Sequence, residues 1–223
     1  MADTHPDPTG PAVPGSEPDA IVLDAKGLRA LAHPVRVQLV GLLRRHGPST
    51  ATLLAERMGL NSGATSYHLR QLGAAGFVAE DTERGNARER WWRAVHAMTS
   101  LSDIELVEQE PEAALAYLQS VTAVYTMRTQ RALGEFQTMP RPWREVFDMS
   151  DWALLLTPEE AGALGEELHA LVSRYRRDNA EGAAQAPAGA ERVELITHLL
   201  PEPASDPMTA PAGAPVDETR STP

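Results

Sequence analysis

Apolar residues recur at spacings of three and four from about position 24 to position 75, which is the periodicity of helices packed on one side. Asp24 opens the first helix, which runs to Leu31 and is interrupted by His33-Pro34. A second helix is predicted from Pro34 to about His46, with Val37, Leu39, Val40, Leu42 and Leu43 forming a broad buried face. Pro34 suits the first helical position, where its missing N–H has no partner to lose. After Gly47-Pro48, residues 49–75 read as two short helices around a tight turn. Ser49 or Thr50 caps the first, whose Leu53, Leu54 and Met58 recur at helical spacing. Gly59-Leu60-Asn61 is the turn: Gly59 takes the left-handed conformation, Leu60 plugs the angle, and Asn61 or Ser62 caps the next helix. That helix places Thr65, Leu69 and Leu72 on one stripe and stops at Gly73 or Gly76. Ser62, Gly63, Ser66, Tyr67 and Arg70 are left on the opposite face.

The period then shortens. Residues 77–81 and 89–95 look like strands, joined by a turn over 82–88 with Gly85-Asn86 at its tip and Arg84 and Arg88 on its flanks. In the second strand Arg88, Arg90 and Trp92 share one face and Glu89, Trp91 and Arg93 the other, so one Trp closes the core. Past Pro111 the helical period returns over 112–138, with Leu115, Leu118, Val121, Tyr125, Ala132 and Phe136 on one stripe. Tyr117, Val124 and Met127 make its other side apolar too, which calls for a second partner. Pro140 and Pro142 break this helix. The continuous run Trp152–Leu156 predicts a buried strand over 150–156. Thr157-Pro158-Glu159-Glu160 is a capping box with Pro at the first position, opening a helix along Ala161, Leu164, Leu168, Leu171, Val172 and Tyr175. Residues 180–190 form an Ala/Gly/Pro linker, and 191–199 alternate well enough to pair with 150–156 as a strand.

A helix-turn-helix followed at once by a basic-tipped hairpin is the pattern of a winged helix. Its reading face is small and polar at the start, then carries a phenol and a guanidinium, which suits a DNA major groove. The run Leu28-Arg29-Ala30-Leu31-Ala32-His33-Pro34-Val35-Arg36 through Val95, with Ser66-Tyr67-His68-Leu69-Arg70-Gln71-Leu72 and Ala75-Gly76-Phe77-Val78, resembles the DNA-binding domain of ArsR-like winged-helix regulators. The resemblance covers about a third of the chain. It implies DNA contact through Ser62, Gly63, Ser66, Tyr67 and Arg70, packing or phosphate contact for His68, and a homodimer formed by the helix after the wing, with Leu118, Val121 and Tyr125 along its middle. Gly63 departs from the pattern, which has Ser or Thr there. The family's metal sensors carry Cys-x-Cys before the recognition helix, or Asp and His sets in the dimer helix. Here Leu53-Leu54-Ala55-Glu56 offers no thiolate, and the seven His show no tight cluster, so no metal and no cofactor are expected.

Charge sharpens this. The chain carries −11 overall, yet residues 24–98 hold eleven basic and six acidic side chains, so one module is cationic within an acidic protein. Arg84 and Arg88 are expected to meet phosphate or the minor groove. There is no Cys, no Gly-rich phosphate loop and no nucleophile elbow, and an enzyme is not expected. No apolar run is long enough for a membrane span, and the first twenty residues do not read as a signal peptide, so the cytoplasm is the expected location. Tyr117, Tyr125, Met127, Phe136, Met139, Trp143, Phe147 and Trp152 concentrate in one stretch, which suggests an organic effector held between the long helix and the C-terminal section. Packing of an ordinary core explains the same aromatics.

The expected fold is mainly α with small β-sheets (α+β). Residues 1–20 and 201–223 are Pro-rich tails predicted to be disordered, 21–100 form the winged helix-turn-helix, and 101–200 form a helical dimerisation and effector section with a small α/β part. The expected function is a transcriptional regulator, repressing as a homodimer on a double-stranded DNA operator and released by a small organic effector. The alternative is a winged-helix protein–protein interaction module without sequence-specific DNA binding.

Overall fold

The computed structural model describes residues 20–84, 89–175, 178, 182 and 184–202. The chain enters as strand β1, Ala20–Val22, and Asp24 then caps helix α1, Ala25–Leu31, its carboxylate accepting from the Gly27 N–H at 2.7 Å. His33 caps α2, Pro34–His46, with Nδ1 accepting from the Val35 N–H. A two-residue strand β2, Ser49–Thr50, leads into α3, Ala51–Met58, which the Thr50 hydroxyl caps. Gly59 then turns the chain with φ of 64°, a conformation that costs other residues about 1–2 kcal/mol. Asn61 caps α4, Ser62–Ala74, accepting from the Gly63 N–H at 2.7 Å. Strands β3 (Val78–Glu80), β4 (Trp91–Ala94) and β5 (Met98–Ser100) follow. The remaining helices are α5 (Ile104–Gln109), α6 (Pro111–Glu135), α7 (Arg141–Glu145) and α8 (Pro158–Val172). Thr157 and Glu160 form the expected capping box at the start of α8.

Buried residues from Leu23 to Trp92 share one core, which Ala114 and Tyr117 of α6 complete. Leu28, Leu39, Leu69, Leu72 and Phe77 are completely buried there, and each leucine so placed contributes about 1.5–3 kcal/mol. Within the first short helix of the hairpin it is Leu54 that is buried, while Leu53 is half exposed and Leu60 lies at the surface rather than plugging the turn. Strand β4 is the centre of an antiparallel sheet in the order β2-β4-β3, with Ser49 opposite Trp92 and Val78 opposite Ala94. This register turns Trp92 inward and leaves Arg93 in solvent. Glycine at position 73 admits the Trp92 ring, since a Cβ there would lie 3.2 Å from it. The wing tip, residues 85–88, lies outside the described residues.

Two features depart from expectation near the ends. Ala20 belongs to β1, which pairs in parallel with β5, so this strand takes in the last residue of the expected tail; the rest of that tail (1–19) and residues 203–223 lie outside the described residues. Segments 150–156 and 191–199 form no strands, although both were expected to pair. Trp152, Leu155, Val193 and Leu195 are each at least two-thirds exposed, so neither segment lies on an apolar layer that would align it with a partner.

Helix α6 packs across α1 and α2, burying Ala114, Tyr117, Ser120 and Val124. The side carrying Tyr117 and Val124 is therefore the inner one. Leu115 and Leu118 face outward, 57% and 49% exposed.

Candidate nucleic-acid interface

Helix α4 has two faces with different chemistry. Thr65, Leu69 and Leu72 are buried against the core, and the Thr65 hydroxyl donates to the Asn61 carbonyl, so no polar group is stranded. Ser62, Gly63, Tyr67 and Arg70 are exposed on the other side, with Ser66 half-buried between them. Tyr67 is 51% exposed, so half of its ring is open to a partner. The Asn61 cap and the hairpin fix the angle at which this face is presented.

His68 sits on the flank. Its ring lies 4.7 Å from that of His33 and 5.6 Å from that of Tyr67, and its Nδ1 is buried with no hydrogen-bond partner among the described residues. Burial, then the neighbouring His33 and Arg36, hold the His68 imidazole below its ordinary pKa. Arg36 in turn donates to the Ala30 carbonyl at 2.7 Å.

Arg84 opens the wing, largely exposed and 3.5 Å from the Asp81 carboxylate. Arg90 lies over the Trp92 ring at 5.9 Å and pairs with Glu80 across the sheet at 3.2 Å. Arg88 lies outside the described residues.

The residues expected to serve the dimer or an effector are not brought together. Leu118 points outward, whereas Val121 packs against the core and Tyr125 meets His198 ring edge to face at 5.7 Å. Phe136 stacks on Phe147 at 5.1 Å, Trp143 is half-buried, and Trp152 is 75% exposed. A cavity of about 700 Å³ does border α6, but on its inner side against α2 and the β4–β5 connection; of those aromatics only Tyr117 and Tyr125 line it. Its cationic members Arg44, Arg45, Arg93 and Arg128 were not anticipated there. A signal existed for Arg128, which is the first charge after Glu112, closing a stretch from Ala113 to Met127 that carries none. Among the described residues no three His, Cys, Asp or Glu side chains converge to hold a metal ion, and no helix is long and apolar enough to cross a membrane.

Three helices, a capped helix-turn-helix and a β-wing make this an α+β winged-helix fold. Residues 31–81 match the family model of a helix-turn-helix domain, which supports a DNA-binding regulator. Among solved structures the chain is similar to ZitR of Lactococcus lactis in apo form, at 16% identity over 65% of this chain and 83% of that one, with a TM-score of 0.28. It is similar also to the transcriptional regulator Tm0710 of Thermotoga maritima (14% identity, 48% and 75% covered, TM-score 0.27) and to YusO of Bacillus subtilis (15%, 63% and 74%, TM-score 0.26). No curated protein matches the chain.

Proposed function

We propose that the protein is a sequence-specific transcriptional regulator of the ArsR-like kind that represses by occupying an operator as a homodimer. The observation that carries this is the solvent-facing side of α4, a polar face on which Ser62, Gly63, Tyr67 and Arg70 are exposed and Ser66 is half-buried. An arginine and a phenol on a helix of this width can reach base edges in the major groove, while Arg84 and Arg88 meet the backbone beside it. His68 then acts from within, seating the helix against His33.

A single recognition helix selects too few base pairs for a genome, so two copies related by symmetry are required. The outward face of α6 supplies the contact. The helix carries no charge from Ala113 to Met127, and Leu115 and Leu118 lie open on that face with Leu133 further along. An exposed helical face without charges is expected where a second copy covers it. Val121 and Tyr125 look inward toward the cavity, which fits a small organic effector that loosens the operator complex. By this reading residues 21–100 are the DNA-binding domain and 101–200 the dimerisation and effector section.

The test is an electrophoretic shift of the protein on the DNA upstream of its own gene, with and without competitor. Binding that survives a large excess of unrelated DNA supports the reading, and binding lost to any competitor alike refutes it.

A further inference from the structure

The inner cavity beside α6 has the composition of a ligand site. Val40, Val121 and Val124 supply apolar wall, and the buried Tyr117 phenol adds a polar group. The volume of about 700 Å³ is that of a pocket for a small organic molecule. Its charge is one-sided: Arg44, Arg45, Arg93 and Arg128 line it, against the single carboxylate of Asp178. Arg44 is engaged, donating to the His96 carbonyl and the Thr99 hydroxyl, both at 2.8 Å.

Arg45 and Arg128 are held differently. Both grip one carboxylate, that of Glu194, with Arg128 Nη1 at 2.8 Å from Oε1. Glu194 belongs to the extended, largely exposed segment 190–200, which forms no strand. Besides Glu194, its anchors include Arg192, which lies 3.0 Å from both Asp178 and His46 Nδ1, and His198 on the Tyr125 ring. Helix α2 is also shaped for the guanidinium. Gly41 lies in its interior, where glycine costs about 1 kcal/mol, and a Cβ there would come within 3.0 Å of Arg128 Nη2.

We propose that this cavity binds a small aromatic carboxylate, with Arg128 and Arg45 taking its carboxylate in place of Glu194, so that the 190–200 segment is a strap displaced by the ligand. Glu194 shows the chemistry that the pair of arginines accepts, and Val40, Val121 and Val124 offer an apolar wall to the ring of the ligand. Because the strap is tethered, its carboxylate competes at high effective concentration, and removing that charge must favour the ligand. The proposal rests on the effector reading above for its consequence, but not for its occurrence.

The experiment is isothermal titration of the full chain, without DNA, using 2-naphthoate and its uncharged amide. The wild type should bind naphthoate about tenfold more tightly than the amide, as a charge-assisted contact with arginine requires. Glu194→Gln should bind naphthoate about fivefold more tightly than the wild type, and Arg128→Gln should lose most of this affinity. Equal affinities for acid and amide, or an unchanged affinity in Glu194→Gln, would overturn the proposal. If Arg128→Gln fails to fold by circular dichroism, the Glu194→Gln comparison decides alone. Naphthoate binding that leaves the operator shift unaltered supports the site and refutes only the effector role.

Discussion

The imidazole of His33, which caps α2, lies 4.7 Å from that of His68 on the recognition helix. The contact seats α4 against the cap of α2, with Arg36 near the His68 ring and Tyr67 beside it. His68 is held below its unfolded value of about 6.5, first by burial and then by His33 and Arg36. A histidine with a lowered folded pKa gives up stability as pH falls below the unfolded value, because the unfolded chain then binds the extra proton. The urea midpoint of the wild type should therefore drop between pH 7.5 and pH 5.5. His46 is lowered as well, so it contributes the same sign, and it is present in both proteins compared. His68→Gln should show a smaller drop. Equal drops in the two proteins would remove His68 as the cause.

Replacing Arg70 by Ala should weaken operator binding by about 1–3 kcal/mol if the guanidinium grips a guanine, and by less if it meets only phosphate. Tyr67 and Arg70 are both exposed, so the double variant should melt with the wild type. Shift titrations that give the double variant full operator affinity would refute the assignment of this face.

For the wing, the double variant Arg84→Ala with Arg88→Ala should weaken binding to every DNA alike and flatten the salt dependence by about one to two units of slope. Affinities measured across a range of salt concentrations check this. A changed preference between operators would mean that the wing reads sequence.

Dimerisation can be separated from folding because the two faces of α6 are distinct. Leu115→Glu with Leu118→Glu places charges on the outward face alone and should give a folded monomer with greatly weakened operator binding. Sedimentation should find the wild type at about twice its chain mass of 24.1 kDa. Val121→Glu is the control: its side chain packs on the chain's own core, so it should destabilise the fold itself. A wild-type monomer that still binds its operator tightly would refute the interface.

The local elements of the DNA-binding part were legible because their causes are local. Asp24, Thr50 and Asn61 each cap the helix beside them, Gly59 turns the chain, and Thr65, Leu69 and Leu72 keep helical spacing, all within a few residues of one another. The reading face of α4 followed, since burying one stripe exposes the other.

What the tertiary structure decided is each choice between equivalent patterns. Helix α6 is apolar on two sides, and only its seat across α1 and α2 made Tyr117 and Val124 the inner side and Leu118 the outer. The pairings of Ala20 with Met98 and of Ser49 with Trp92 join strands too short to carry a period, so they arise from the approach of distant segments. Segments 150–156 and 191–199 had the pattern of strands but no layer to lie on, and a ladder forms only where packing brings two backbones into register. The arginine pair over Glu194 belongs to the same class. Arg45, Arg128 and Glu194 are far apart in sequence, and they meet where an extended segment reaches two helices, which spacing along a chain does not encode.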